Sequence, residues 1–459
     1  MKKGLLVLFP LIISALAGCN SGEEATSSAT TAPAPTSSST SQDLYPPKRY
    51  ESRATVPAMS GSSISVAFTF DDRDFDASAK TFNKQIALAS YLAACSSDTV
   101  SNWKNYFSSI GFGGYQAGEG EYNDLVLAYK FVNDYALVAP AFRSLGYGEG
   151  WANNVTVGLD GDHEGFQETV KKMVKMIDNS RELQGKKLKF WCAGYSRGAA
   201  LAGAFSTYIM DNKLYGANEE NVFCYAFEAP KYVAEDIEYE NIFNFYNEAD
   251  IVPAIFPDEY GLSINGQRIV LDIEGIDDVA KEAGYELEPF VPVSGEKGFQ
   301  TESEFLSKFI QALLTEEKEG STIHYSLSTR EKYVENYQDK LVYSMKLIFK
   351  MPSSALPAIM QEVQDDPTII FYALFTRGVD NPIYQLIKKY LDLYHVEYDE
   401  AELSDKLAGL IDNLCEQLVN NVSQFLDLFN TIPYITRVVQ FHYPEINYLL
   451  LKRYLENTK

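Results

Sequence analysis

Gly194-Tyr195-Ser196-Arg197-Gly198 sets a serine between two glycines, each two residues away. A serine hydroxyl is a weak nucleophile at neutral pH. It needs an imidazole base, an acid to orient that imidazole and N–H donors for a developing oxyanion. Asp250, in Asn247-Glu-Ala-Asp250-Ile-Val-Pro253, is the candidate acid; the plainer role for an aspartate there is to cap a turn. Only four histidines exist. His163 precedes the serine and opens a helical pattern, and His395 lies among helical residues, so both suit packing or hydrogen-bonding roles. His442 and His324 remain as candidate bases.

The elements around these residues set their reach. Lys187 to Tyr195 reads as a buried strand and Arg197 to Ser206 as a helix, so Ser196 sits on a sharp strand-to-helix turn that glycines permit. Ala193, Ala199, Ala200, Ala202 and Gly203 keep the neighbourhood small enough for close packing. Ser62 to Phe70 alternates with period two and reads as a strand that suits a sheet edge. Helical periodicity covers Lys80 to Ala94 and Asp98 to Ser108, followed by the Gly-rich turn Ile110 to Gly114. Asp124 to Val132 and Tyr135 to Phe142 form a predicted hairpin about Asn133-Asp134. A helix is predicted from His163 to Ile177, and strands over Asn221 to Phe227 and Asn241 to Tyr246. From about Gly261 the patterns are mostly helical, ending in Pro444 to Leu455.

Strands alternating with helices imply an α/β protein with a mainly parallel sheet covered by helices. In the α/β-hydrolase order the nucleophile comes first, then the acid, then the histidine. Asp250 follows a strand downstream of the serine, and His442 lies just before the last helix. That order favours His442, whereas His324 as base would make the later helices an appendage. The expected architecture is an α/β-hydrolase fold with a large helical insertion in the C-terminal half.

Several ordered motifs then resemble the class 3 lipase family, within it a bacterial branch with Gly-Tyr-Ser-Arg-Gly-Ala at the nucleophile. Phe142-Arg143-Ser144-Leu145 is similar to the family's Phe-Arg-Gly-Thr/Ser. Glu149 to Asn154 is similar to its Trp and Asn pattern, and His163-Glu-Gly-Phe166 to its His-x-Gly-Phe. Tyr225-Ala-Phe-Glu-Ala-Pro230 and Asn247 to Pro253 are similar to its Phe-Gly-x-Pro and Asn-x-x-Asp-x-Val-Pro. The resemblance implies an ester or lipid substrate and an acyl-enzyme, with oxyanion donors at the backbone N–H groups of Arg197 and Leu145. Leu145 lacks the hydroxyl of the family's Thr/Ser, and Ser144 stands in place of glycine. That altered segment leaves open a non-catalytic envelope binding protein on the same scaffold, and an acyltransferase or peptidase would share the same nucleophile logic.

The chain's 459 residues, 46% of them apolar, suffice for a large core, and a net charge of −24 disfavours nucleic acid as a partner. Lys2 and Lys3 precede an apolar run ending in Leu16-Ala17-Gly18-Cys19, which resembles a bacterial lipoprotein signal with Cys19 as the lipidated residue. Asn20 to Gln42 is Ser/Thr/Ala/Pro-rich and reads as a flexible tether. The expected organisation is a signal over 1–18, a lipidated tether over 19–49, a hydrolase core over 50–260, a helical insertion or cap over 261–435, and a final loop and helix over 436–459. The expected location is the bacterial envelope, with a lipid anchor joining the protein to the membrane. No protein partner and no cofactor is implied, and no metal-ligand spacing occurs among the cysteines and histidines. Cys192 and Cys224 fall on strands that can be neighbours and are expected to be buried free thiols, with a bridge as the alternative.

Overall fold

The computed structural model describes residues 45–458, except 60, 120–121, 145–149, 296–297, 315–326, 353, 367 and 421–431. Cys19, Leu145 and His324 therefore lie outside the described residues.

The main sheet has seven strands in sequential order: β3 (Gly114–Ala117), β4 (Leu125–Val132), β5 (Tyr135–Phe142), β6 (Lys187–Tyr195), β7 (Val222–Phe227), β8 (Ile242–Tyr246) and β9 (Gln267–Val270). β3, β4 and β5 pair antiparallel, and from β5 to β9 every pairing is parallel. The turn between β4 and β5 uses Asn133 with a φ of 48°, a left-handed geometry that asparagine tolerates. The α/β-hydrolase architecture holds: a mainly parallel sheet with helices on both faces.

Apolar strands buried on both faces explain the near-continuous hydrophobic runs. In β7, Val222 and Cys224 pack on one face, while Phe223, Tyr225 and Phe227 pack on the other. The first face is covered by α3 (Glu164–Asn179) and α4 (Arg197–Asp211), the second by α1 (Lys84–Cys95) and α2 (Val100–Ser109). Cys192 and Cys224 are register partners on adjacent strands, and both are buried free thiols.

Ser62 to Phe70 contributes to a strand, β2 (Ile64–Asp71), but not to the main sheet. It pairs only with β1 (Arg49–Val56) in a separate antiparallel ribbon whose inner residues Val66, Phe68 and Phe70 pack toward α1 and α2.

Beyond β9 the described chain forms no further named strand and is mostly helical, apart from an irregular stretch over 283–301. α5 (Ile276–Glu282), α6 (Glu302–Leu314), α7 (Asp339–Ile348), α8 (Ala355–Asp365), α9 (Thr368–Phe375), α10 (Pro382–Leu393) and α11 (Gly409–Asn420) precede α12 (Ile432–Gln440) and α13 (Pro444–Asn457). A cluster of Leu347, Ile359, Tyr384, Leu391, Leu403 and Ile411 gives this block a core of its own. α13 returns to the sheet, where Ile446, Leu450 and Leu451 join the core shared with α1. No helix among the described residues is long and apolar enough to cross a membrane.

Candidate active site

β6 is a central strand, bonded to β5 on one side and β7 on the other, so its end is fixed in space. Ser196 follows immediately with φ 57° and ψ −130°, and α4 begins at the next residue. A non-glycine residue in this conformation is strained. The flanking glycines make room for it: a Cβ on Gly194 would meet Gly198 O at 2.0 Å, and one on Gly198 would meet Phe142 O at 2.8 Å. Ser196 N donates to Phe227 O at 2.8 Å, tying the turn to β7.

Asp250 lies in the turn after β8, where Ala249 N donates to Asn247 Oδ1 at 3.1 Å. Its carboxylate is buried, and Oδ1 accepts from Val252 N at 2.8 Å. Ile251 and Val252 pack beneath Phe299, Phe305, Phe309, Ile435 and Val438, so the turn carrying the acid is clamped by α6 and α12.

His442 sits in the middle of the three-residue span Phe441 to Tyr443, after α12 and before α13. The structure brings it to both other candidates: Nδ1 lies 2.6 Å from Asp250 Oδ2, and Nε2 lies 2.8 Å from Ser196 Oγ. With Nδ1–H donating to the carboxylate, Nε2 is the acceptor for the serine hydroxyl. The imidazole stacks on Tyr195, ring centroids 5.0 Å apart, and Tyr195 OH donates to the His442 carbonyl.

Beside the serine, the Arg197 guanidinium is buried and pairs with Asp124 at 2.6 Å while donating to Arg143 O at 3.2 Å. Its side chain thus joins α4 to the loop after β5. Its own N–H belongs to the first helical position, where the helix dipole favours negative charge. Ser144 N donates to Ser97 Oγ at 3.1 Å, and Ser144 Oγ accepts from Tyr195 N at 3.4 Å.

The remaining described histidines are elsewhere. His163 caps α3, its Nδ1 accepting from Phe166 N at 3.4 Å and its Nε2 donating to Asn154 O at 3.2 Å. Burial pushes its pKa down to about 3, so it is neutral at any physiological pH. His395 lies two residues past the end of α10, with φ 55°.

Three residues whose roles the motifs did not indicate hold the histidine loop. Asn447 Nδ2 donates to Phe441 O at 2.6 Å and to Tyr195 OH at 3.1 Å, and Asn447 Oδ1 accepts from Asn247 Nδ2 at 3.1 Å. Arg437, buried on α12, bonds Glu302 at 2.8 Å, Asp277 at 2.8 and 2.9 Å, and Glu288 O at 2.7 Å. Tyr195 occupies a variable position of the serine motif, and nothing in its local sequence indicates a contact with residue 442. Among the described residues no cluster of three or more His, Cys, Asp or Glu is placed to hold a metal ion.

Residues 139–260 match the model of the family "Lipase (class 3)". This segment runs from within β5 to Tyr260, past the turn that carries Asp250, and so includes Ser196 and Asp250 but not His442. No curated protein matches the chain. Among solved structures, a fungal lipase–inhibitor complex described as a model for interfacial activation is similar at 16% identity. That match covers 40% of this chain and 78% of the lipase, with a TM-score of 0.32.

Proposed function

From the class 3 lipase segment over residues 139–260, we propose that this lipase-like hydrolase cleaves carboxylic esters through an acyl-enzyme on Ser196. His442 Nε2 takes the serine proton as Oγ attacks the ester carbonyl, and Asp250 holds Nδ1–H and stabilises the imidazolium. His442 then returns the proton to the leaving alcohol, and a water activated by the same nitrogen releases the acid. The oxyanion is received by the backbone N–H of Arg197 and by a second N–H, assigned to Leu145 by its position in the Phe142 to Leu145 segment.

The observation that carries this reading is the unbroken chain from Asp250 Oδ2 through His442 to Ser196 Oγ, with links of 2.6 and 2.8 Å, at a serine whose positive φ lifts it above the sheet edge. Strain retained at such a position is characteristic of nucleophile turns. The signal-like Leu16-Ala17-Gly18-Cys19 supports attachment of the protein to a bacterial membrane through lipid on Cys19, with residues 20–42 as tether.

A fluorophosphonate probe is expected to label the folded chain and to leave Ser196→Ala unlabelled. An intact, folded chain that stays unlabelled would overturn the proposal and favour a binding role for the scaffold. Hydrolysis rates on short against long acyl esters then define the substrate class, while transfer of the acyl group to an alcohol or amine in preference to water marks an acyltransferase.

A further inference from the structure

Behind Asp250 lies a second acidic side chain that the ester mechanism does not use. Glu228 follows β7 and is wholly buried. Its φ of 53° is left-handed, a geometry that strains a residue with a Cβ and suits glycine. A carboxyl group kept in a strained, dry position calls for a reason.

Its contacts supply one. Glu228 Oε1 accepts from Asn247 N and from Asn247 Nδ2, both at 3.1 Å, while Oε2 lies at 3.3 Å from the same backbone N–H. Its other neighbour is an acid: the Asp250 carboxyl lies within hydrogen-bond reach of that of Glu228. Two carboxyl groups bond each other only when one proton lies between them. Asp250 already accepts from Val252 N and His442 Nδ1, roles that suit the anion. Among the described residues the titratable groups facing Glu228 include Asp250, Tyr91 from α1, Tyr195 from β6 and Tyr246 from β8, all of them acids.

We infer that Glu228 is a positioning residue: it is protonated in the resting protein, and its O–H donates to the Asp250 carboxylate that orients His442. Burial, with the Asp250 charge beside it, raises its pKa well above the ordinary carboxylate range. The consequence is chemical. A second negative charge behind Asp250 would favour an imidazolium already present at rest, whose Nε2 carries a proton and has no lone pair left for that of Ser196. A neutral donor there adds no such charge, and fixes the second oxygen of Asp250 toward the imidazole.

The inference rests on the roles proposed for Ser196, His442 and Asp250, so its test includes measurements that need no turnover. In infrared difference spectra the intact chain is expected to show a protonated-carboxyl C=O band that Glu228→Gln removes. In proton NMR, the downfield His442 Nδ1–H resonance is expected to move further downfield in Glu228→Gly, where the donor is gone, and to stay close to its original position in Glu228→Gln, whose amide can donate. With an ester substrate, Glu228→Gly should move the acid limb of the pH–rate profile to higher pH. It should also lower kcat/KM about 10- to 100-fold, the range for one lost hydrogen bond to a charged group. Glycine relieves the backbone strain at 228, and Glu228→Gln keeps the side-chain volume, so at least one variant remains folded. The inference is overturned if no band disappears, or if Glu228→Gln moves the acid limb to lower pH, as loss of an ionised carboxylate would. If Ser196 proves unreactive while the infrared and NMR results hold, the ester reading fails and the Glu228 assignment stands.

Discussion

The sheet and the helical block hold their contributions to the site by different means. Ser196 is placed by backbone: a central strand bonded on both sides, two glycines with no room for a Cβ, and the Ser196 N to Phe227 O bond. His442 is placed by side chains: Arg437 ties α12 to Asp277 and Glu302, Asn447 and Tyr195 grip the carbonyls of Phe441 and His442, and Asp250 takes the ring. Backbone placement tolerates no compromise, since a clash there displaces the strand itself. Side-chain placement is divided among several bonds, each worth roughly 0.5–3 kcal/mol, so each can be lost separately.

The largest effect is therefore expected on the sheet side. In Gly194→Ala the new methyl meets Gly198 O at 2.0 Å, a backbone atom that can move only with the turn. A loss of about 4 kcal/mol or more in urea unfolding is expected, in the class of strained or overpacked core sites. A loss below about 1 kcal/mol would show that the turn bends freely and would break the distinction.

Arg437→Met should rank next. It leaves the part-buried Glu302 without its cation, for an expected loss of about 3 kcal/mol, and slower fluorophosphonate labelling per folded molecule, because α12 leads directly into His442. If stability falls while the labelling rate is unchanged, the histidine loop is positioned independently of that ionic contact, and the account of the helical side narrows to Asn447 and Tyr195.

These two variants also mark where the sequence was informative. β6, its turn and α4 were legible because their signal is local: an apolar run, spaced glycines, then small residues. Asp250 could be read from its place after a strand. His442 stood out only by chain order, in a chain with four histidines. What was illegible is long-range. Asn447 meets Asn247 across 200 positions and Tyr195 across 252, and no periodicity records such a pairing. β1 escaped because Arg49-Tyr-Glu-Ser-Arg-Ala-Thr-Val56 is half exposed and polar, and β3 because a four-residue strand starting at Gly114 resembles a turn. Glu228 was hidden for a different reason: its role depends on a backbone angle and on a carboxyl partner 22 positions away.

A smaller effect is expected from pH. His163 is buried with its pKa lowered to about 3 by desolvation, against about 6.5 in the unfolded chain. Between those values the unfolded chain binds a proton that the folded chain cannot, so stability falls on acidification, by at most about 1.4 kcal/mol per pH unit. At pH 5 the expected loss relative to pH 7 is about 2 kcal/mol from this residue, and His163→Asn should flatten that part of the urea-derived stability curve. An unchanged slope would mean that the sheet side admits charge at the α3 cap and is less rigid than the glycine contacts indicate.

Tyr195→Phe should give the smallest change and the sharpest test, because Tyr195 belongs to both modes of placement. Its backbone is the last residue of β6, and its ring packs against Tyr91 and the His442 imidazole. Its hydroxyl alone reaches across to the histidine loop, donating to His442 O and accepting from Asn447 Nδ2. Removing the oxygen leaves strand and stacking intact and deprives a part-buried carbonyl of its donor, for an expected loss of about 1 kcal/mol. Asn447 keeps its bonds to Phe441 O and Asn247, so the loop should remain in place and labelling of Ser196 should slow only about fivefold. A loss larger than that of Arg437→Met would locate the grip on His442 at the serine strand itself, making nucleophile and base parts of one backbone-fixed unit.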